Sequence, residues 1–118
     1  MNTPWGKANT VTTIDRGVHY VSTPSHGGYL VSKQVAKKLL PPHILNNWDI
    51  WQNYYCFEED CAWAVFEHYC FQLPTWNDLY MKLEKFIQSQ LVDYPGMLEH
   101  KKNLIKTIER WYPSALAA

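Results

Sequence analysis

Apolar residues recur along this chain first at a spacing of two, then at spacings of three and four. Thr10-Val11-Thr12-Thr13-Ile14 is β-branched throughout, and Val18-His19-Tyr20-Val21-Ser22 alternates apolar with polar or amphipathic positions. Both are marks of a strand. Asp15-Arg16-Gly17 lies between them and carries a turn signal, with Gly17 suited to positive φ, so the pattern predicts a hairpin with a three-residue loop. Thr23-Pro24-Ser25-His26-Gly27-Gly28 predicts a loop, because Pro24 lacks a ladder donor and the paired glycines free the backbone. Tyr29-Leu30-Val31 predicts a third short strand. A small antiparallel three-stranded sheet over residues 10–31 needs a helical layer to cover it.

From residue 32 onward the period lengthens. Ser32 predicts the cap of a helix in which Val35, Ala36, Leu39 and Leu40 share one side, and Pro41-Pro42 ends it. Pro42 can start a short helix reaching Trp48. The stretch from Asp49 to Phe57 fits either loop or strand. Glu58-Glu59-Asp60 predicts a helix start, where acids complement the positive end of the dipole, for a helix from about Glu59 to Phe71. That helix is apolar nearly all round, so a central position is expected. Thr75 with Asp78 predicts the next cap, followed by Trp76, Leu79, Tyr80, Leu83, Phe86, Ile87 and Leu91 at helical spacing. Asp93-Tyr94-Pro95-Gly96 predicts a turn, Met97 to Tyr112 a last amphipathic helix, and Ser114 to Ala118 a frayed end. Strands first and helices after predict a single α+β domain over 1–118, with the sheet at about 10–31 and four or five helices at about 32–113.

Composition narrows the function. The chain has 118 residues, 47% of them hydrophobic and 19% charged, which suits a folded domain and excludes a disordered tail or a coiled coil. No apolar run reaches the roughly 18 residues of a membrane span, and no export signal is legible, so a cytoplasmic setting is expected. Eleven Lys and Arg balance eleven Asp and Glu. That balance argues against a protein built around the nucleic-acid backbone. The halves differ, with net +3 over residues 1–57 and −3 over 58–118. Three cysteines, Cys56, Cys61 and Cys70, point to reduced thiols, and one loose C-x4-C pair does not make a zinc knuckle, so no metal is expected. No phosphate-cradling loop, paired-carboxylate signature or Gly-x-Ser-x-Gly elbow is present, and no cofactor is expected.

Several residues bear chemistry. His26, in a Gly-flanked loop, has the titration range of a general base, or else bonds a neighbouring loop or the acidic helix start while Gly27-Gly28 serve a tight turn. Cys61 near a helix start, with His26 beside it, would make a nucleophile pair, although Glu58, Glu59 and Asp60 around it would raise the thiol pKa. Cys61 and His68 sit about 10 Å apart along a helix axis and form no dyad. Three adjacent acids diverge on a helix and cannot all reach one cation. Trp48, Trp51, Tyr54 and Tyr55 would form an interface patch if exposed, or fill the space between sheet and helices if buried.

Two segments together, Thr3-Pro4-Trp5-Gly6 leading through Val18 to Ser22 into Thr23-Pro24-Ser25-His26-Gly27-Gly28-Tyr29, and then Glu58-Glu59-Asp60-Cys61-Ala62-Trp63-Ala64, resemble a domain of unknown function found in bacterial, phage and plasmid proteins. The resemblance covers roughly residues 3–66 and implies a mobile-element protein, with no activity attached. The expectation is a non-enzymatic protein that binds a protein partner, specifically an inhibitor of a host defence complex in the manner of an anti-CRISPR. Trp48, Trp51, Tyr54, Tyr55, Ser25, His26, Glu58, Glu59 and Asp60 are its expected binding residues. A Cys61–His26 hydrolase or transferase and a dimeric accessory protein paired through its last two helices are the alternatives. Neither a membrane nor a nucleic acid is an expected partner.

Overall fold

The computed structural model describes residues 2–91 and 96–116. A two-stranded ribbon, β1 (Asn2–Thr3) and β2 (Gly6–Lys7), precedes β3 (Thr10–Asp15), β4 (Val18–Ser22) and β5 (Gly27–Ser32). Helices α1 (Lys33–Leu39) and α2 (Pro42–Leu45) lead to β6 (Ile50–Trp51) and β7 (Tyr54–Glu58). Three helices follow, α3 (Trp63–Cys70), α4 (Asp78–Gln90) and α5 (Met97–Trp111), then a 3-10 turn at Pro113–Leu116. The architecture is α+β, as the element order implies.

The main sheet has five antiparallel strands in the order β3-β4-β5-β7-β6. This corrects the expected three strands, and β6 and β7 fall inside the stretch assigned to helices. The cause lies in the residues. Tyr54-Tyr55-Cys56-Phe57 is apolar at every position because β7 packs on both faces, so it lacks the alternation of a half-buried strand. The turn before it carries no glycine. Gln52 takes the left-handed conformation instead, with φ 53°.

β5 is the buried spine of the sheet, and its side chains alternate between two cores. Tyr29 and Val31, with Tyr55 and Phe57 of β7, face Val65 and Phe66 of α3, Leu83 and Ile87 of α4, and Leu104 and Ile108 of α5. Leu30, Val21 and Cys56 face the other way, under Trp5, Trp51 and Tyr54. Gly27 and Gly28 belong to β5, not to a loop. A side chain at Gly28 would run into the Phe57 carbonyl, and one at Gly27 would come within 2.6 Å of the Val21 carbonyl oxygen. The pair therefore permits close backbone packing at the sheet centre.

Other boundaries move for local reasons. The first hairpin closes through a two-residue turn at Arg16-Gly17, with an irregularity between Thr13 and Asp15 absorbing the extra residue. The helix expected from Glu59 starts at Trp63, because Glu58 still belongs to β7. α4 is capped by Asn77, not Thr75. Pro74 opens a turn that takes the Asn77 amide, and Asn77 Oδ1 then accepts from Leu79 N at 2.9 Å. Ser32 caps α1 through Val35 N, as its position predicts. The short helix from Pro42 stops at Leu45. Residues 113–116 are not frayed, since Ala115 is buried and its carbonyl accepts from Tyr69 Oη at 3.2 Å. Of the turn expected at 93–96, residues 93–95 lie outside the described residues.

Candidate functional site

A cavity of about 390 Å³ opens between the sheet and the three long helices. Tyr20 of β4 and Tyr29 of β5 form its sheet wall, and Trp63 and Glu67 come from α3. Phe86, Ile87 and Gln90 come from α4, Glu99, His100 and Asn103 from α5, and Glu59 from the turn before α3. Its size is that of a small-molecule or side-chain pocket.

The buried end holds a three-residue network. Glu67 is only 3% exposed. Tyr29 Oη donates to Glu67 Oε2 at 2.6 Å, and His100 Nε2 lies 2.7 Å from Glu67 Oε1. Each oxygen of the buried carboxylate thus has a side-chain partner, which is what makes the placement tolerable. His100 also lies against Trp63, with ring centroids 5.2 Å apart. Trp63 and Glu67 are four residues apart on α3, so one helix face presents both to α5. Aromatic packing fixes the sheet side, with Tyr29 against Phe66 at 4.8 Å and Tyr20 against Phe86 at 5.2 Å.

The electrostatics follow from burial. Desolvation pushes the Glu67 carboxyl above its ordinary value, and the bonds from His100 and Tyr29 only partly counter it. Burial and then the Glu67 charge hold the Tyr29 phenol well above its ordinary value. Tyr20 is raised by burial and then by Glu59 and Glu67. This carboxylate network can accept hydrogen bonds and fix a ligand's orientation within an aromatic enclosure.

The residues singled out from sequence are distributed around the molecule. Ser25 and His26 are exposed in a turn held by Thr23, whose hydroxyl donates to the His26 carbonyl at 2.6 Å. His26 Nδ1 lies 4.0 Å from Glu59 Oε1. Cys61 has other neighbours. Its sulfur is 3.1 Å from Glu58 Oε1 and 3.5 Å from Tyr112 Oη. Glu58 Oε1 also accepts from the amides of Cys61 and Ala62, both at 2.8 Å, and so caps the entry to α3. Burial alone would raise Glu58, but these amide donors outweigh it and hold the carboxyl below its ordinary value. Burial also raises the Cys61 thiol, with Glu58 adding to the rise and Tyr112 opposing it. Asp60 is exposed.

The aromatic stretch divides between the two faces of the sheet. Trp48 packs on Phe57 and Tyr112 and donates through Nε1 to the Cys56 carbonyl at 2.7 Å, and Tyr55 is buried in the helix-side core. Trp51 and Tyr54 stack on the opposite face. Of the expected binding residues, only Glu59 lines the cavity.

Sequence reasoning did not single out Glu67 and His100. A glutamate in the otherwise apolar run Ala64-Val65-Phe66-Glu67 was the one available signal, since a charge on a buried helix needs a partner. Tyr29 and Trp63 lie within the two signature segments, and with Glu59 they tie those segments to the cavity. Among the described residues, no three His, Cys, Asp or Glu side chains are grouped to hold a metal ion, and no helix is long and apolar enough to cross a membrane.

No curated protein and no solved structure matches the chain. A family model does match, and it spans residues 1–118. Both signature segments, and the cavity residues they supply, fall within that span. The chain belongs to the family described as a domain of unknown function, DUF7007.

Proposed function

We propose that this chain is a non-enzymatic protein-binding protein that receives part of its partner in the cavity between sheet and helices. One observation carries the reading: a carboxylate fixed from two sides stands at the buried end of an open, aromatic-walled cavity. Rigid aromatic walls and a few oriented polar groups are the usual means by which a surface captures one group of a partner. The resemblance to mobile-element proteins makes a host defence complex the specific partner, with inhibition as the outcome.

Immobilised protein exposed to purified defence complexes tests this. Retention of one complex is expected, with its activity reduced. Trp63→Ala should abolish that retention while the circular-dichroism spectrum and cooperative melting stay native. Failure to retain any complex, or retention untouched by Trp63→Ala, would contradict the proposal.

A further inference from the structure

We infer that the group received by the cavity is a cationic side chain, a Lys ammonium or Arg guanidinium projecting from the surface of a protein partner. The inference rests on the reading of the cavity as a binding site, and it names the ligand class. The argument is charge and shape complementarity. Three carboxylates, Glu59, Glu67 and Glu99, line the cavity together with His100, and no Lys or Arg stands among its described lining residues. Glu59 is the most exposed of the three, and His26 Nδ1 lies 4.0 Å from it. Glu99 is half-buried, and Glu67 closes the inner end. A phosphate or carboxylate entering here would meet like charge.

The remaining walls suit the rest of such a side chain. Phe86, Ile87 and Leu91 offer an apolar strip for an aliphatic stem, and the aromatic side chains of Tyr20 and Trp63, which also line the cavity, suit a cationic head. Lys and Arg combine these two properties in one side chain. A cavity of about 390 Å³ holds either with room for water.

Nuclear magnetic resonance with minimal probes tests the assignment. Nα-acetyl-lysine and Nα-acetyl-arginine methylamides are titrated into the protein, with the norleucine and glutamate counterparts as controls. The Trp63 indole N–H and the Gln90 and Asn103 side-chain amides are the reporters. Saturable shifts are expected for the two cations and none for the controls. Glu59→Gln combined with Glu99→Gln should weaken cation binding by about tenfold or more and leave the melting temperature nearly unchanged. Equal shifts from norleucine, or larger shifts from the glutamate probe, would overturn the assignment. Cation binding without retention of any defence complex would uphold the ligand class and sink the proposed partner. Retention of a complex unaffected by the double substitution would sink the ligand class and leave the partner standing.

Discussion

Glu58 and Glu67 stand nine residues apart, at opposite ends of the turn and first helical turns that follow β7. Their surroundings push them in opposite directions. Glu58 spends one oxygen on main-chain amides three and four residues ahead, and its remaining contact is the Cys61 thiol, which also meets Tyr112. Among the described residues, Glu67 receives no main-chain donor. Its partners are side chains 38 and 33 residues away, Tyr29 and His100. The first carboxyl is held below its ordinary value by local amides, the second above it by burial. The contrast separates a carboxylate that organises the chain's path from one that tertiary structure has brought to a cavity. The first works where it is, whatever binds elsewhere. The second requires β5, α3 and α5 to be assembled, and it faces space a ligand can enter.

Substitution at Glu67 should give the largest effect. Glu67→Ala leaves the Tyr29 hydroxyl and the His100 ring nitrogen unpaired in a buried site, and a loss of about 3 kcal/mol is expected in denaturant unfolding. Glu67→Gln keeps the shape and can bond both partners, and it should stay within about 1 kcal/mol of wild type at pH 7. The Gln variant also exposes the sign of the linkage. A carboxyl raised in the folded state contributes stability that is present below its unfolded value near 4.5 and is lost as pH rises through the folded value. Wild type should therefore gain on Glu67→Gln as pH falls from 7 toward 4.5.

Glu58 should show the reverse at smaller amplitude. Glu58→Ala removes the acceptor for two amides at the α3 entry and should cost about 1 kcal/mol. Because this carboxyl is lowered in the folded state, its contribution is present above the unfolded value and is lost as pH falls below about 4.5 through the folded value. The advantage of wild type over Glu58→Gln should thus shrink on acidification, opposite to the trend at Glu67. If both variants trended alike, the contrast between the two carboxylates would fail.

The thiols give the smallest effect. Cys70 is buried, and burial pushes the Cys56 thiol up to about 11. Half-buried Cys61 should be alkylated first, yet slowly at neutral pH, because burial and Glu58 raise it. Glu58→Gln removes part of that rise, and a few-fold faster alkylation, followed by mass spectrometry, is expected. An unchanged rate would detach Cys61 from the Glu58 network.

The helices were legible because their signals are local. Ser32 capping α1, and the 3.6-residue seam through Leu79, Leu83 and Ile87, need nothing beyond neighbouring sequence. Strand β7 was not, since a strand buried on both faces loses its alternation, and Gln52 at the preceding turn does not advertise positive φ. The cavity was least legible. Tyr29, Glu67 and His100 carry no shared spacing, and only the packing of α5 against α3 places the imidazole beside the carboxylate. Cys61 and His26 are chemically suggestive by residue type, yet Cys61 meets Glu58 and Tyr112, and the imidazole of His26 lies near Glu59. Sequence proximity to a helix start indicated what each could do, not whom each would meet.

The central claim is that Glu67 is a buried carboxylate held at the cavity by His100. A ¹³C titration of the Glu67 side-chain carbon, in wild type and in His100→Gln, tests it most directly. A midpoint above 4.5 in wild type, moving further up when the imidazole is replaced, is the result expected. A midpoint at or below 4.5, indifferent to His100→Gln, would mean the carboxylate is solvated and the network does not exist.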